Sequence, residues 1–103
     1  MKLSKEARTI FNPKRFEIVT LLIVLEKMTM KQLKEATGLT WGDLNSNIKQ
    51  LEKYKIVKTK KIITKKGPRT LVTLTSTGLK AYKELTKYLE ETIRKTSASH
   101  TER

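Results

Sequence analysis

Two groups of residues have the types and spacing to do chemistry, and in both cases that chemistry is the binding of a polyanion. From Lys53 to Arg69 the chain carries Lys53, Lys55, Lys58, Lys60, Lys61, Lys65, Lys66 and Arg69, with no acidic residue among them. A bland solvated surface mixes its signs, whereas a one-signed stripe builds a field that attracts phosphate. Immediately before it, Gly42, Ser46, Lys49 and Lys53 share one side of a helix wheel, with Asn45 beside them. Asn, Ser and Lys present hydrogen-bonding groups at a length that reaches base edges. A glycine near the start of that helix lets the backbone approach a ligand closely.

Other chemistries find no set of residues. The chain has no cysteine, which excludes a disulfide scaffold, a thiolate metal site and a thiol nucleophile. Its one histidine, His100, rules out a multi-histidine metal site within one chain. Glu90 and Glu91 are adjacent, so on a helix they diverge by about 100° and make a poor acid–base pair. Ser97, Ser99 and His100 stand in a polar tail, and no glycine-rich phosphate loop or nucleophile triad occurs. The expectation is a binding protein without catalytic, metal or cofactor residues.

The whole composition frames that reading. The 103 residues hold 23 Lys and Arg against 10 Asp and Glu, a formal charge of +13, with 37% apolar residues. That length suits one domain with a compact core. Lysine outnumbers arginine, so the total charge is equally well explained by lysine-rich usage; the clustering is not. Residues 1–95 are expected to form the domain and 96–103 a polar, disordered tail. The first fifteen residues are charged throughout and lack the apolar run of a secretory signal. The run Ile18 to Leu25 falls well short of the roughly 20 apolar residues that cross a bilayer. A soluble, cytoplasmic protein with no membrane partner is expected.

Periodicity then supplies the elements that must position the charged groups. Leu3, Ala7, Ile10 and Phe11 repeat at helical spacing. Asn12-Pro13 reads as a helix start, Asn capping and Pro at the first helical position. The helix that follows is apolar nearly all round, belongs in the core and should run to about Lys27. Met28-Thr29-Met30 is too short to assign. Lys31 to Thr37 forms a short helix with Leu33 and Ala36 inward, ended by Gly38. Leu39 follows as an apolar plug, and Thr40 with Asp43 suggests a capping box for the next helix. Leu44, Ile48 and Leu51 give that helix one buried stripe. Ile56 to Thr64 and Thr70 to Thr75 read as two strands around a basic turn, with Lys66 and Arg69 at its most protruding point. Val57, Val72 and Leu74 should cover the core. Thr75-Ser76 caps a last helix, Thr77 to about Lys95, with the stripe Leu79, Tyr82, Leu85, Leu89 and Ile93. Its distal part, Leu85, Leu89 and Ile93, together with Leu3, Ala7 and Ile10, forms a candidate dimer seam.

This order of elements is α+β, mainly α: a winged helix-turn-helix with a two-stranded hairpin wing and a long C-terminal helix. The residues resemble the small archaeal and bacterial winged-helix transcriptional regulators related to the MarR and ArsR groups. The resemblance rests on Leu33 to Thr40, Leu44 to Glu52, Lys66 to Thr70 and Leu74 to Leu79, and covers about residues 13–90. Two positions depart from the pattern. Such domains usually place a glycine where Lys55 stands, and a left-handed lysine costs about 1 kcal/mol, so a different helix end is expected. Trp41 is unusual at the entrance to the recognition helix; packing as a staple on the core is favoured over stacking on nucleic acid or meeting a partner.

The resemblance implies a homodimer on double-stranded DNA, with recognition helices in successive major grooves and wings on the flanking minor grooves. The expected base contacts are Asn45, Ser46 and Lys49, and the expected backbone contacts Thr40, Trp41, Gly42 and Lys53. Lys65, Lys66 and Arg69 form the wing contacts. Members of such groups often sense small molecules, but no residue here argues for an effector. The alternatives are an architectural protein that coats DNA without reading it, and RNA binding, which the lack of an aromatic stacking surface weakens.

Overall fold

The computed structural model describes residues 2–100, with side chains as far as Thr96. The chain runs α1 (Lys5–Ile10), α2 (Pro13–Leu25), β1 (Lys27–Thr29), α3 (Met30–Thr37), α4 (Trp41–Lys53), β2 (Val57–Thr64), β3 (Gly67–Leu74) and α5 (Ser76–His100). This is the expected winged helix-turn-helix, mainly helical and with a long C-terminal helix. The hairpin gains a third strand. β1 pairs antiparallel with β3, Met28 opposite Val72, giving the order β1-β3-β2.

Local signals account for most boundaries. The Asn12 side chain accepts from the backbone of Lys14 and Arg15, with Pro13 at the first helical position. The Gly38 backbone is left-handed and closes α3. α3 begins with a full capping box between Thr29 and Gln32. At α4 only half of the expected box forms. Thr40 Oγ1 accepts from the Asp43 N–H at 3.1 Å, while the Asp43 carboxylate leaves the cap to pair with Lys14 Nζ at 2.8 Å.

α2 stops at Leu25 rather than Lys27, because Glu26 turns to φ 66° and feeds β1. Its carbonyl then accepts from the Leu74 N–H, so the turn is held by the sheet. The hairpin turn is only Lys65-Lys66, since Thr64 already pairs with Gly67 and Ile62 with Arg69. Pro68 is accommodated within β3 because β1 reaches only to Leu71, leaving that stretch of β3 with an open edge. α5 passes the expected Lys95 end and runs to His100. No Gly or Pro follows Gly78 to stop it. Residues 101–103 lie outside the described residues.

The core gathers Ile18, Val19, Leu22, Leu33, Leu44, Ile48, Leu51, Val57, Val72 and Leu85, with Leu74 packed at its edge. Ala36, expected inward, is exposed. The largest change concerns α1. Leu3, Ala7 and Ile10 do not wait for a second chain: they are buried in this one, as is Leu85. α1 lies on α5, and its capping residue Ser4 donates from its N–H and its hydroxyl to the Glu84 carboxylate, both at 2.8 Å. Those two bonds, backbone first, hold the Glu84 carboxyl below its ordinary value, outweighing a small desolvation that acts the other way. A depressed carboxyl pKa contributes stability that is complete above the unfolded-state value and disappears as pH falls through the folded one. Glu84→Gln is therefore expected to lower the melting temperature near neutral pH. The gap to the wild type should close as acid protonates Glu84, which thermal melts across an acid series would reveal.

α4 ends without glycine but with the geometry glycine usually supplies. Lys55 adopts φ 61°, the Ile56 N–H reaches the Leu51 carbonyl at 2.9 Å and the Lys55 N–H reaches Glu52 at 3.0 Å. This is a Schellman ending, sealed by the buried pair Leu51 and Ile56. The different helix end expected from a lysine here does not occur, because two backbone bonds and an apolar contact offset its left-handed strain. Lys55→Gly should stabilise the chain by about 0.5–1 kcal/mol, the relieved strain less the added freedom of an unfolded glycine. The check is a raised urea midpoint at unchanged slope.

Candidate nucleic-acid interface

The outer face of α4 is built by what holds its inner face. Leu44, Ile48 and Leu51 anchor the helix in the core, and Asn47 is buried with them. Asn47 accepts from Arg15 Nη1 at 3.0 Å and donates to the Asp43 carbonyl at 2.8 Å, so α2 fixes the rotation of α4. The opposite side presents Gly42, Asn45, Ser46, Lys49 and Lys53, all exposed. Glu52, next to Lys53 in the chain, is turned to β2, where it accepts from the Thr59 hydroxyl at 2.7 Å.

Thr40 is exposed at the helix start, its oxygen engaged as cap while its own O–H remains a donor. Lys53 Nζ lies 5.6 Å from the centre of the Tyr54 ring. Trp41 does not pack on the core as expected. It is 48% exposed, with Lys34 Nζ 5.4 Å from its ring centre. The apolar plug at this turn is Leu39 instead, which leaves the indole outside.

Trp41 and Asn45 face the wing across an open hollow whose far side is Lys61, Pro68, Arg69 and Thr70, with Met30 and Lys31 at its end. Arg69 therefore belongs to the hollow and not to the tip, because the two-residue turn draws it back into β3. It is half-buried, and its Nη1 donates to the Pro68 carbonyl at 2.8 Å. Lys65 and Lys66 alone form the tip, both exposed. The structure thus brings Trp41, Asn45 and Arg69 together, while Lys66 shares a separate hollow with Arg69, beside Thr64 and the α3 residues Lys31, Gln32 and Glu35.

Several neighbours had no local signal in the sequence. Lys34 meets Trp41 only through the turn between α3 and α4. Ile63 is 82% exposed near the wing tip, opposite Pro68, where the sequence reading placed charge alone. Among the described residues no group of three or more potential metal ligands occurs, and no helix is long and apolar enough to cross a membrane.

A family profile described as a winged helix DNA-binding domain matches residues 14–93. The chain belongs to that family. An uncharacterized protein of Methanocaldococcus jannaschii is 39% identical over 69 residues, 67% of this chain and 75% of the relative. The winged helix here also superposes on a transcriptional regulator homologue from Pyrococcus horikoshii OT3. The TM-score is 0.81 at 32% identity, covering 86% of this chain and 88% of that one. A protein from Enterococcus faecalis V583, described as a transcriptional regulator of the MarR family, shares the fold. Its TM-score is 0.72 at 22% identity, with 96% of each chain covered.

Proposed function

We propose that the chain is a transcriptional regulator that reads double-stranded DNA as a homodimer, with α4 in the major groove and the β2–β3 wing on phosphates or the minor groove. One observation carries the reading: the exposed face of α4 offers Asn45, Ser46 and Lys49 between flanking cations, while its rotation is locked from behind through Asn47. A helix held rigidly by its inner face presents its outer residues in fixed register, which sequence reading requires. Thr40, Trp41, Gly42 and Lys53 are suited to the backbone. Lys65 and Lys66 suit the phosphates beyond, and Arg69 the groove wall beside Trp41. The family description and the resemblance to regulators favour the same use.

The dimer surface is revised by the burial of α1. Leu79, Tyr82, Thr86, Leu89 and Ile93 follow one another at alternating steps of three and four along α5, the spacing of a helix–helix seam. Leu79 is exposed, Ile93 is 64% exposed, and Tyr82, Thr86 and Leu89 are half-buried. This stripe supports dimerisation through α5 in place of Leu3, Ala7, Ile10 and Leu85.

The deciding experiment is selection from a randomised duplex library at two salt concentrations, with the bound sequences recovered. A palindrome with half-sites about 34–36 Å apart, one helical turn, is the expected result. Strong, salt-steep binding without a motif would replace the reading by an architectural DNA coat. No binding would overturn both.

A further inference from the structure

On the side of α4 away from the wing lies a second basic hollow, of about 450 Å³, lined by Lys5, Arg8, Thr9, Arg15, Gln50 and Tyr54. We propose that this hollow is a backbone-phosphate site, which holds the DNA strand on the far side of the major groove from the wing. The inference rests on the DNA-binding reading and adds α1 to the interface.

Position argues for it first. Asn45 lines the wing-side hollow and Gln50 lines this one. Five residues apart, they lie about 140° from each other around the helix. Gly42, Ser46, Lys49 and Lys53 occupy the arc between them. A helix with its side chains is about 10–12 Å across and the major groove about 12 Å wide, so a seated helix meets a phosphate strand on each flank. The wing supplies cations to one flank. This hollow supplies cations to the other.

The charges are also available and in part preset. No carboxylate lines the hollow, and among the described residues the only ion pair is Lys14 with Asp43. Arg15 is oriented by uncharged acceptors, its Nε donating to the Thr9 carbonyl and its Nη1 to Asn47. Its positive charge is therefore positioned without being neutralised. Arg8 is held only through Nε, to the Leu3 carbonyl at 3.3 Å, and its terminal nitrogens face no acceptor among the described residues. The Lys5 ammonium, Gln50 amide and Tyr54 hydroxyl make no side-chain hydrogen bond there. A guanidinium with free terminal N–H groups, a lysine and a phenol together match a phosphate diester. α1 is thus more than a cover for α5.

The test compares wild-type chain with Lys5→Gln/Arg8→Gln on one mixed-sequence duplex, measuring log K against log salt between about 50 and 200 mM. Glutamine keeps helix propensity near that of Lys and Arg, and Lys5→Gln alone serves should the double variant melt early. Loss of two phosphate contacts is expected to lower the slope by about 2 per bound chain, or about 1 for Lys5→Gln. Lys83→Gln/Lys87→Gln on the outer face of α5 should leave the slope unchanged. An unchanged slope in the Lys5/Arg8 variant, or an equal fall in the α5 control, would overturn the site while leaving DNA binding intact. Wild-type chain that binds no duplex would overturn the DNA-binding reading and the site with it.

Discussion

Replacing Gly78 with alanine is expected to destabilise the chain by about 3 kcal/mol or more, although alanine is the better helix former by about 1 kcal/mol. Gly78 sits in the first turn of α5, and a Cβ there would collide with the Ile56 carbonyl oxygen and come within 2.7 Å of Leu74 Cδ1. That carbonyl has nowhere to go. It already accepts from the Thr75 N–H at 3.1 Å, while the Thr75 hydroxyl shares its proton between the Lys55 and Ile56 carbonyls and its oxygen accepts from the Gly78 N–H at 2.9 Å. Thr75, Ile56 and Gly78 thus tie the start of α5 to the turn that ends α4. Moving Ile56 would break these bonds and disturb the left-handed Lys55 beside it. Urea unfolding should show a much lower midpoint with little change of slope. Gly42→Ala is the contrast, because a Cβ there meets nothing closer than Thr40 Oγ1 at 3.9 Å. That variant should keep its stability, so any loss of DNA affinity in it reports close backbone approach.

Gly78 also marks where the sequence stops being legible. What depends on neighbours three or four residues away could be read: the Asn12 and Thr40 caps, the Gly38 stop, and the stripe Leu44, Ile48 and Leu51. What depends on a distant partner could not. Three residues, Lys27 to Thr29, become a strand only because β3 is beside them. Glu26 takes positive φ without a residue type that announces it, its carbonyl held by the Leu74 N–H of β3. The apolar spacing of Leu3, Ala7 and Ile10 marked a face to be covered but not its cover, and α5 of the same chain proved to be it.

The candidate site divides in the same way. Helix periodicity placed Gly42, Asn45, Ser46, Lys49 and Lys53 on one exposed face, where the structure has them. The wing was misjudged by three residues because a two-residue turn draws Arg69 back toward Trp41. Asn47 reads as an ordinary polar residue on a wheel. Only the fold brings Arg15 against it and turns it into the pin that sets the exposed face of α4.

Lys49→Ala then tests whether that face reads sequence or merely grips. Lys49 is exposed near the middle of the face and makes no side-chain hydrogen bond among the described residues, and alanine suits a helix, so the fold should be untouched. A lysine that donates to a base edge loses its contact only where that base is present. The expected cost is therefore about 1–3 kcal/mol on the selected duplex, with relaxed preference at one base pair per half-site. Repeating the selection with the variant reads this directly, as one position of the motif becoming degenerate while the others persist. A lysine that meets phosphate behaves differently, because every sequence offers the same charge: affinity falls alike on all duplexes and the salt slope drops by about 1. That outcome would move discrimination to Asn45 and Ser46, the remaining uncharged groups on the face. With the backbone then gripped by the wing, α4 and α1 together, those two side chains and the shape and deformability of the duplex would share the choice of site.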